Sequence, residues 1–170
     1  MKKELESKLK EIKLVISDVD GVLTDGGIYF SSEGESLKKF NVKDGMGVEL
    51  LHENNIKVIL LTRENSEIVK KRGEKINVDK TILGIMNKKE ELEKIKIEFS
   101  IEKECIAYIG DDLNDLEIMS SVGFSATPHD GHKQIKNVSD YICNSKGGEG
   151  AFRELAELII DNGGEYGEKI

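Results

Sequence analysis

The feature that most constrains this chain is a short apolar stretch that stops on acid. Residues 12–17, ending Leu14-Val15-Ile16-Ser17, carry no turn residue, and Asp18-Val19-Asp20-Gly21 follows at once. A near-continuous apolar run points to a strand buried on both faces, as in a parallel sheet covered by helices. Similar runs recur at residues 57–62 and 105–110, with weaker ones at 80–83, 123–126 and 140–143. Helical patterns lie between and after them, at 45–54, 65–76, 88–99, 113–122, 133–138 and 150–160. Leu5, Leu9 and Ile12 suggest a lead-in helix. Strands and helices alternate with short connections, so the expected class is α/β, with a doubly wound, mainly parallel, Rossmann-like sheet. One segment breaks the alternation: residues 25–40 read as a β-hairpin flap directly behind the two aspartates. Residues 1–170 are expected to form a single domain, with 161–170 as a loose tail.

Charge excludes one broad class of partner. The formal net charge is −8, so no basic surplus exists to neutralise a nucleic-acid backbone. Cys105 and Cys143 stand alone and far apart, which fits a reducing cytoplasm rather than a disulfide framework. No apolar run approaches the ~20 residues of a membrane span. The first 13 residues alternate Lys and Glu and lack the apolar core of a signal peptide. A cytoplasmic protein is expected.

In open α/β sheets, ligands bind beyond the carboxyl ends of the strands. There the sequence places Asp18 and Asp20, Thr62, and the acid-rich turn Asp111, Asp112 and Asp115, while Lys88 opens a helix. Clustered carboxylates repel one another unless a cation holds them, and oxygen ligands suit Mg²⁺. A carboxylate can attack a phosphate monoester when metal and lysine neutralise the phosphoryl oxygens. Two residues on, a second Asp can protonate the leaving alcohol and then activate water. Thr62 can hydrogen-bond a phosphoryl oxygen, and Lys88 can offset developing charge. A lone strand-end Asp is usually a turn or cap residue, but the ordered set is not explained that way.

The set Asp18-Val19-Asp20-Gly21-Val22-Leu23-Thr24-Asp25-Gly26, Thr62, Lys88 and Gly110-Asp111-Asp112-Leu113-Asn114-Asp115 resembles the four motifs of the haloacid-dehalogenase superfamily of phosphatases. Residues 39–45 and 147–154 are similar to the sugar-acid phosphatases of that superfamily. These act on 3-deoxy-manno-octulosonate (KDO) 8-phosphate or on nine-carbon relatives such as KDN 9-phosphate and N-acetylneuraminate 9-phosphate. The resemblance implies that Asp18, the backbone carbonyl of Asp20 and Asp111 hold Mg²⁺. It also implies that Asn41, Lys43, Asp44, Gly45, Arg72 and Asn114 touch substrate or shape its pocket. Members are commonly homotetramers in which neighbours help to close the site. The gaps between Asp20 and Thr62 and between Lys88 and Asp111 hold no large cap domain, so walls from a partner subunit are expected.

One departure bears on substrate. Where the KDO 8-phosphate group carries Thr-Gly-Arg, this chain has Thr62-Arg63-Glu64, with Lys75 further along the same helix. Glu64 with Lys75 is similar to the nine-carbon group, and Arg-to-Glu reverses the charge offered to a substrate carboxylate. A nine-carbon acid is the favoured expectation, with KDO 8-phosphate close behind. Arg63 fits neither group, and a one-residue slip in alignment would bring an Arg to the position after all. Two other classes compete: a receiver-type phospho-acceptor and a non-catalytic phosphatase-like module. Receivers place the accepting Asp on the third strand and need no hairpin, and a non-catalytic module need not keep every chemical residue. His129 and His132 read as turn and helix-start residues, His52 as a helix-end residue.

Overall fold

The structure, a computed structural model, describes residues 2–163. In chain order it has α1 (Lys2–Lys10), β1 (Leu14–Ser17), β2 (Tyr29–Ser31), β3 (Gly34–Leu37), α2 (Val42–Glu53), β4 (Lys57–Leu61), α3 (Glu67–Lys75) and β5 (Lys80–Ile82). Then follow α4 (Lys88–Phe99), β6 (Ile106–Ile109), α5 (Leu116–Met119), β7 (Phe124–Thr127), α6 (Lys133–Val138), β8 (Tyr141–Ile142) and α7 (Ala151–Gly163). The main sheet has the order β5-β4-β1-β6-β7-β8, and every pairing in it is parallel. The chain starts at the centre, winds outward to β5, then returns across β1 to build the other half. That reversal puts the topological switch point between β1 and β6, where a crevice opens beyond the strand ends.

Why β1 is apolar on both sides is visible in its packing. Val15 joins a core with Leu9 of α1, Val48 and Leu51 of α2, and Phe152, Leu155 and Ile159 of α7. Its neighbours Leu14 and Ile16 point the other way, onto Leu92 and Ile95 of α4, Ile118 and Met119 of α5 and Ile135 of α6. The alternation of side chains along a strand therefore feeds two cores, one per sheet face.

Three boundaries differ from the sequence pattern. α2 begins at Val42 rather than residue 45, because the Asn41 side chain caps it by accepting the Lys43 N–H at 3.1 Å. The expected helix over 113–122 is split into a 3₁₀ turn, Leu113–Asp115, and the short α5, because Asp112 and Asp115 form a capping box that draws Asp115 inward. Residues 161–163 are not tail but the last part of α7, and 164–170 lie outside the described residues.

The hairpin is present: β2 and β3 pair antiparallel as a separate ribbon. It carries exposed apolar side chains, Ile28, Tyr29, Phe30 and Leu37 among them. No described helix is long and apolar enough to cross a membrane.

Candidate active site

The cleft at the switch point has a volume of about 530 Å³ and is lined by Asp18, Asp20, Thr62, Glu64, Asp111 and Asn114, with Arg63 and Met86 at its wall. Asp18 follows the last residue of β1 and is buried. Its two oxygens are fixed separately: Oδ1 accepts the Val19 N–H at 2.7 Å, and Oδ2 lies 2.8 Å from Lys88 Nζ. Lys88, at the start of α4, also reaches Asp115 Oδ1 at 2.6 Å and the Tyr108 hydroxyl at 3.1 Å. Tyr108 donates to the same Asp115 oxygen at 2.7 Å, while Asp115 Oδ2 accepts the Asp111 N–H at 3.0 Å. Asp115 is thereby spent on holding Lys88 and the Asp111 loop.

Thr62 is buried at the end of β4, and its Oγ1 accepts the Glu64 N–H at 3.1 Å. The acceptor side of the hydroxyl is thus occupied, which leaves its proton to donate into the cleft. Gly21 is required by close approach: at φ +84° a Cβ there would sit 2.1 Å from Asp111 Oδ2. The turn after β1 can therefore press against the loop after β6.

Electrostatics say what this floor lacks. Burial and the Asp115 charge push the Asp18 carboxyl well above its usual range, against the pull of Lys88. Asp111 is pushed up to about 7 by burial and by Asp115 and Asp112. Lys88 is drawn down by burial but lifted above its ordinary value by Asp18 and Asp115, so it stays charged. Oxygens of Asp18, Asp111 and Asp115 come within 4.8 Å of one another. Lys88 supplies one positive charge against the three carboxylates of Asp18, Asp111 and Asp115, so the cluster still lacks positive charge. An all-oxygen donor set with that deficit fits Mg²⁺.

A family profile described as haloacid dehalogenase-like hydrolase matches residues 65–155. The chain belongs to that family. It is 35% identical over 161 residues to the 3-deoxy-D-manno-octulosonate 8-phosphate phosphatase of Haemophilus influenzae, covering 95% of this chain and 89% of the relative. A crystal structure of the phosphatase of that name from Moraxella catarrhalis, in complex with magnesium ion, phosphate ion and KDO, is 38% identical with a TM-score of 0.91, covering 95% and 93%. The cobalt-bound form of the Haemophilus influenzae phosphatase superposes with a TM-score of 0.90 at 36% identity, covering 93% and 92%. Membership in the haloacid dehalogenase-like hydrolases, with these relatives, makes the chain a phosphoric monoester hydrolase, and Mg²⁺ is the cation its site fits. The receiver-type and non-catalytic readings do not survive this.

For a member of this family, the expected substrate residues fall into two groups. Glu64 and Asn114 line the cleft. Asn41, Lys43, Asp44, Gly45 and Arg72 do not; they tie α2 to α3 and to the loop before α7. Asn41 donates to the Gly148 carbonyl at 3.0 Å, and Asp44 accepts the Arg153 N–H at 3.3 Å. Arg72 donates to the Asn41 carbonyl at 2.7 Å and stacks over Phe40. Lys43 packs under Gly150, and Gly45 lies against Ile76 and Arg72. The two sequence segments 39–45 and 147–154 thus meet each other, beside the cleft rather than in it.

Lys75 is the clearest departure. It borders a different hollow, with Glu49, His52 and Asn77, and does not join Glu64. Glu64 precedes the Ser66 cap of α3 while Lys75 ends that helix, so roughly 12 Å of helix axis separates them.

One support and one rim residue, Tyr108 and Lys38, were not among the expected site residues, whereas Asp115 was placed in the crevice without a role. Asp115 and Tyr108 brace Lys88, and Lys38 enters from the flap. Lys38 Nζ lies 2.5 Å from Asp20 Oδ1 and 2.6 Å from Glu35 Oε1, with its side chain 1% exposed. Burial draws Lys38 down, yet its hydrogen bonds to Asp20 and Glu35 raise it above its ordinary value. Glu35 Oε2 in turn accepts from Ser66 Oγ at 2.6 Å. The available sequence signal was two lysines, Lys38 and Lys39, at the end of the hairpin read as a flap behind the two aspartates.

Proposed function

We propose that this enzyme removes the terminal phosphate of a 2-keto-3-deoxy sugar acid through an aspartyl-phosphate on Asp18. The observation that carries the proposal is the held nucleophile: Asp18, its two oxygens separately fixed by the Val19 amide and Lys88, facing a cleft that also holds Thr62, Asp20 and Asp111. Asp18 attacks phosphorus as the bond to the leaving alcohol breaks. Asp20 gives that alcohol its proton and later takes one from the water that releases phosphate. Lys88 and the Thr62 hydroxyl bind the charge that grows on the phosphoryl oxygens. Mg²⁺ would be held by Asp18, the Asp20 carbonyl and Asp111, and when bound supplies further positive charge to the phosphoryl group.

The relatives' substrate favours KDO 8-phosphate. The nine-carbon reading keeps one support, Glu64 at the cleft, and loses its pairing with Lys75. Asn114 is the other substrate contact in this reading. A second copy of the chain is part of the proposal, because the cleft is open and the adjacent flap exposes Tyr29 and Phe30 at 52% and 74%. A cytoplasmic location is supported by the two unpaired cysteines.

The test is phosphate release from KDO 8-phosphate, KDN 9-phosphate and N-acetylneuraminate 9-phosphate, with and without Mg²⁺. Mg²⁺-dependent turnover led by KDO 8-phosphate is expected. Equally poor turnover of all three overturns the sugar-acid assignment, and a lead for either nine-carbon ester returns the choice to Glu64.

A further inference from the structure

Lys38 combines three features that a solvated flap residue would not have. Its ammonium is buried, it is clamped between two carboxylates, and one of these is the Asp20 carboxylate of the cleft. The clamp is anchored at its far end, since Glu35 is held by Ser66 at the cap of α3. The other Asp20 oxygen, Oδ2, is buried and has no hydrogen-bond partner among the described residues. The two oxygens of one carboxylate are thus made unequal by a single cation.

We infer that Lys38 is a positioning residue for proton transfer: it ties Asp20 Oδ1 to the flap and so fixes the orientation in which the carboxyl group meets the leaving oxygen. This rests on the reading of Asp20 as general acid and base. In the first step the Asp18 oxygen–phosphorus bond forms, the bond to the leaving oxygen breaks, and the proton on the Asp20 carboxyl passes to that oxygen. In the second, water oxygen bonds to phosphorus, the bond between Asp18 and phosphorus breaks, and a proton from the water returns to the Asp20 carboxylate. Atoms and charge balance with no further reactant. The flap is then a structural part of the acid–base step.

A leaving group that needs no proton separates this role from a general loss of structure. Lys38→Met, Lys38→Arg and Asp20→Asn are compared in the Mg²⁺-loaded enzyme by rapid mixing with p-nitrophenyl phosphate and with the sugar-acid phosphate turned over fastest. For Lys38→Met, alkyl-ester turnover should fall at least ~10²-fold, the low end of acid–base contributions. The first turnover of the aryl ester should fall less than ~10-fold, giving a burst of p-nitrophenol before slow phosphoenzyme hydrolysis. Lys38→Arg should recover at least ~10-fold of the alkyl-ester rate, since a cation is restored. Equal losses on both esters, or no loss, would overturn the assignment of Lys38. If Asp20→Asn shows the burst and Lys38→Met does not, Lys38 alone is misassigned. If Asp20→Asn shows no leaving-group split, the reading of Asp20 itself fails.

Discussion

Two lysines with buried side chains, each clamped between carboxylates, hold aspartates of the same cleft on very different supports. Lys88 sits at the floor between Asp18 and Asp115, with side-chain exposures of 1%, 7% and 0%. Lys38 sits at the rim between Asp20 and Glu35, whose side chains remain 29% and 22% exposed. The floor cluster hangs from β1, β6 and α4, elements packed into the core; the rim cluster hangs from a two-stranded ribbon. Identical charge patterns therefore mean different things. At the floor a missing cation cannot be replaced by water, whereas at the rim the carboxylates can rehydrate.

That difference ranks the expected effects. Lys88→Met strands Asp18 and Asp115, so stability should fall by about 3–5 kcal/mol. Chemical denaturation should report this, together with loss of nearly all phosphate release. Lys38→Met should cost no more than ~1 kcal/mol of stability, since exposed partners contribute little. A comparable stability loss in both variants would erase the distinction between floor and rim.

The floor's remaining excess of negative charge gives a pH effect of intermediate size. Asp111, raised to about 7, holds a proton in the metal-free protein at pH 6 and has largely lost it at pH 8. Metal and proton then compete for the same oxygens. Mg²⁺ affinity by calorimetry should weaken by about tenfold from pH 8 to pH 6, with proton release on binding at the lower pH. An affinity flat across that range would contradict the buried-carboxylate account of the floor. Smallest of all, Ser66→Ala removes one neutral-to-charged hydrogen bond of the rim clamp, an interaction worth about 1.5–3 kcal/mol when buried and less here. Turnover of the alkyl ester should drop about 2- to 10-fold with melting behaviour nearly unchanged.

The floor was largely legible in the sequence and the rim was not. Asp18, Thr62, Lys88 and Asp111 announce themselves because each directly follows an apolar run or opens a helix, and strand ends of one parallel sheet share one edge. The brace that β6 supplies to Lys88 is harder to see. Tyr108 lies inside an apolar run, and only the fold shows that its hydroxyl reaches the Lys88 cluster. Lys38 was illegible because a charged residue on a hairpin is normally solvated, and only the bend of the ribbon onto Ser66 buries it. Lys75 differs in the opposite way: sequence spacing set it near Glu64, yet Glu64 precedes α3 and the helix carries Lys75 out of the cleft. The segments 39–45 and 147–154 stood out by resemblance, and the structure joins them to each other as bracing for α2 and α7.

The central claim is that Asp18 carries the phosphoryl group between two steps, and it can be read chemically. The Mg²⁺-loaded enzyme, mixed with its fastest sugar-acid phosphate, is quenched with borohydride, which reduces an aspartyl-phosphate to homoserine. Peptide mass spectrometry should then find homoserine at position 18 alone, and Asp18→Asn should show neither the mark nor Mg²⁺-dependent phosphate release. Homoserine at another aspartate, or undiminished turnover by Asp18→Asn, would contradict the account.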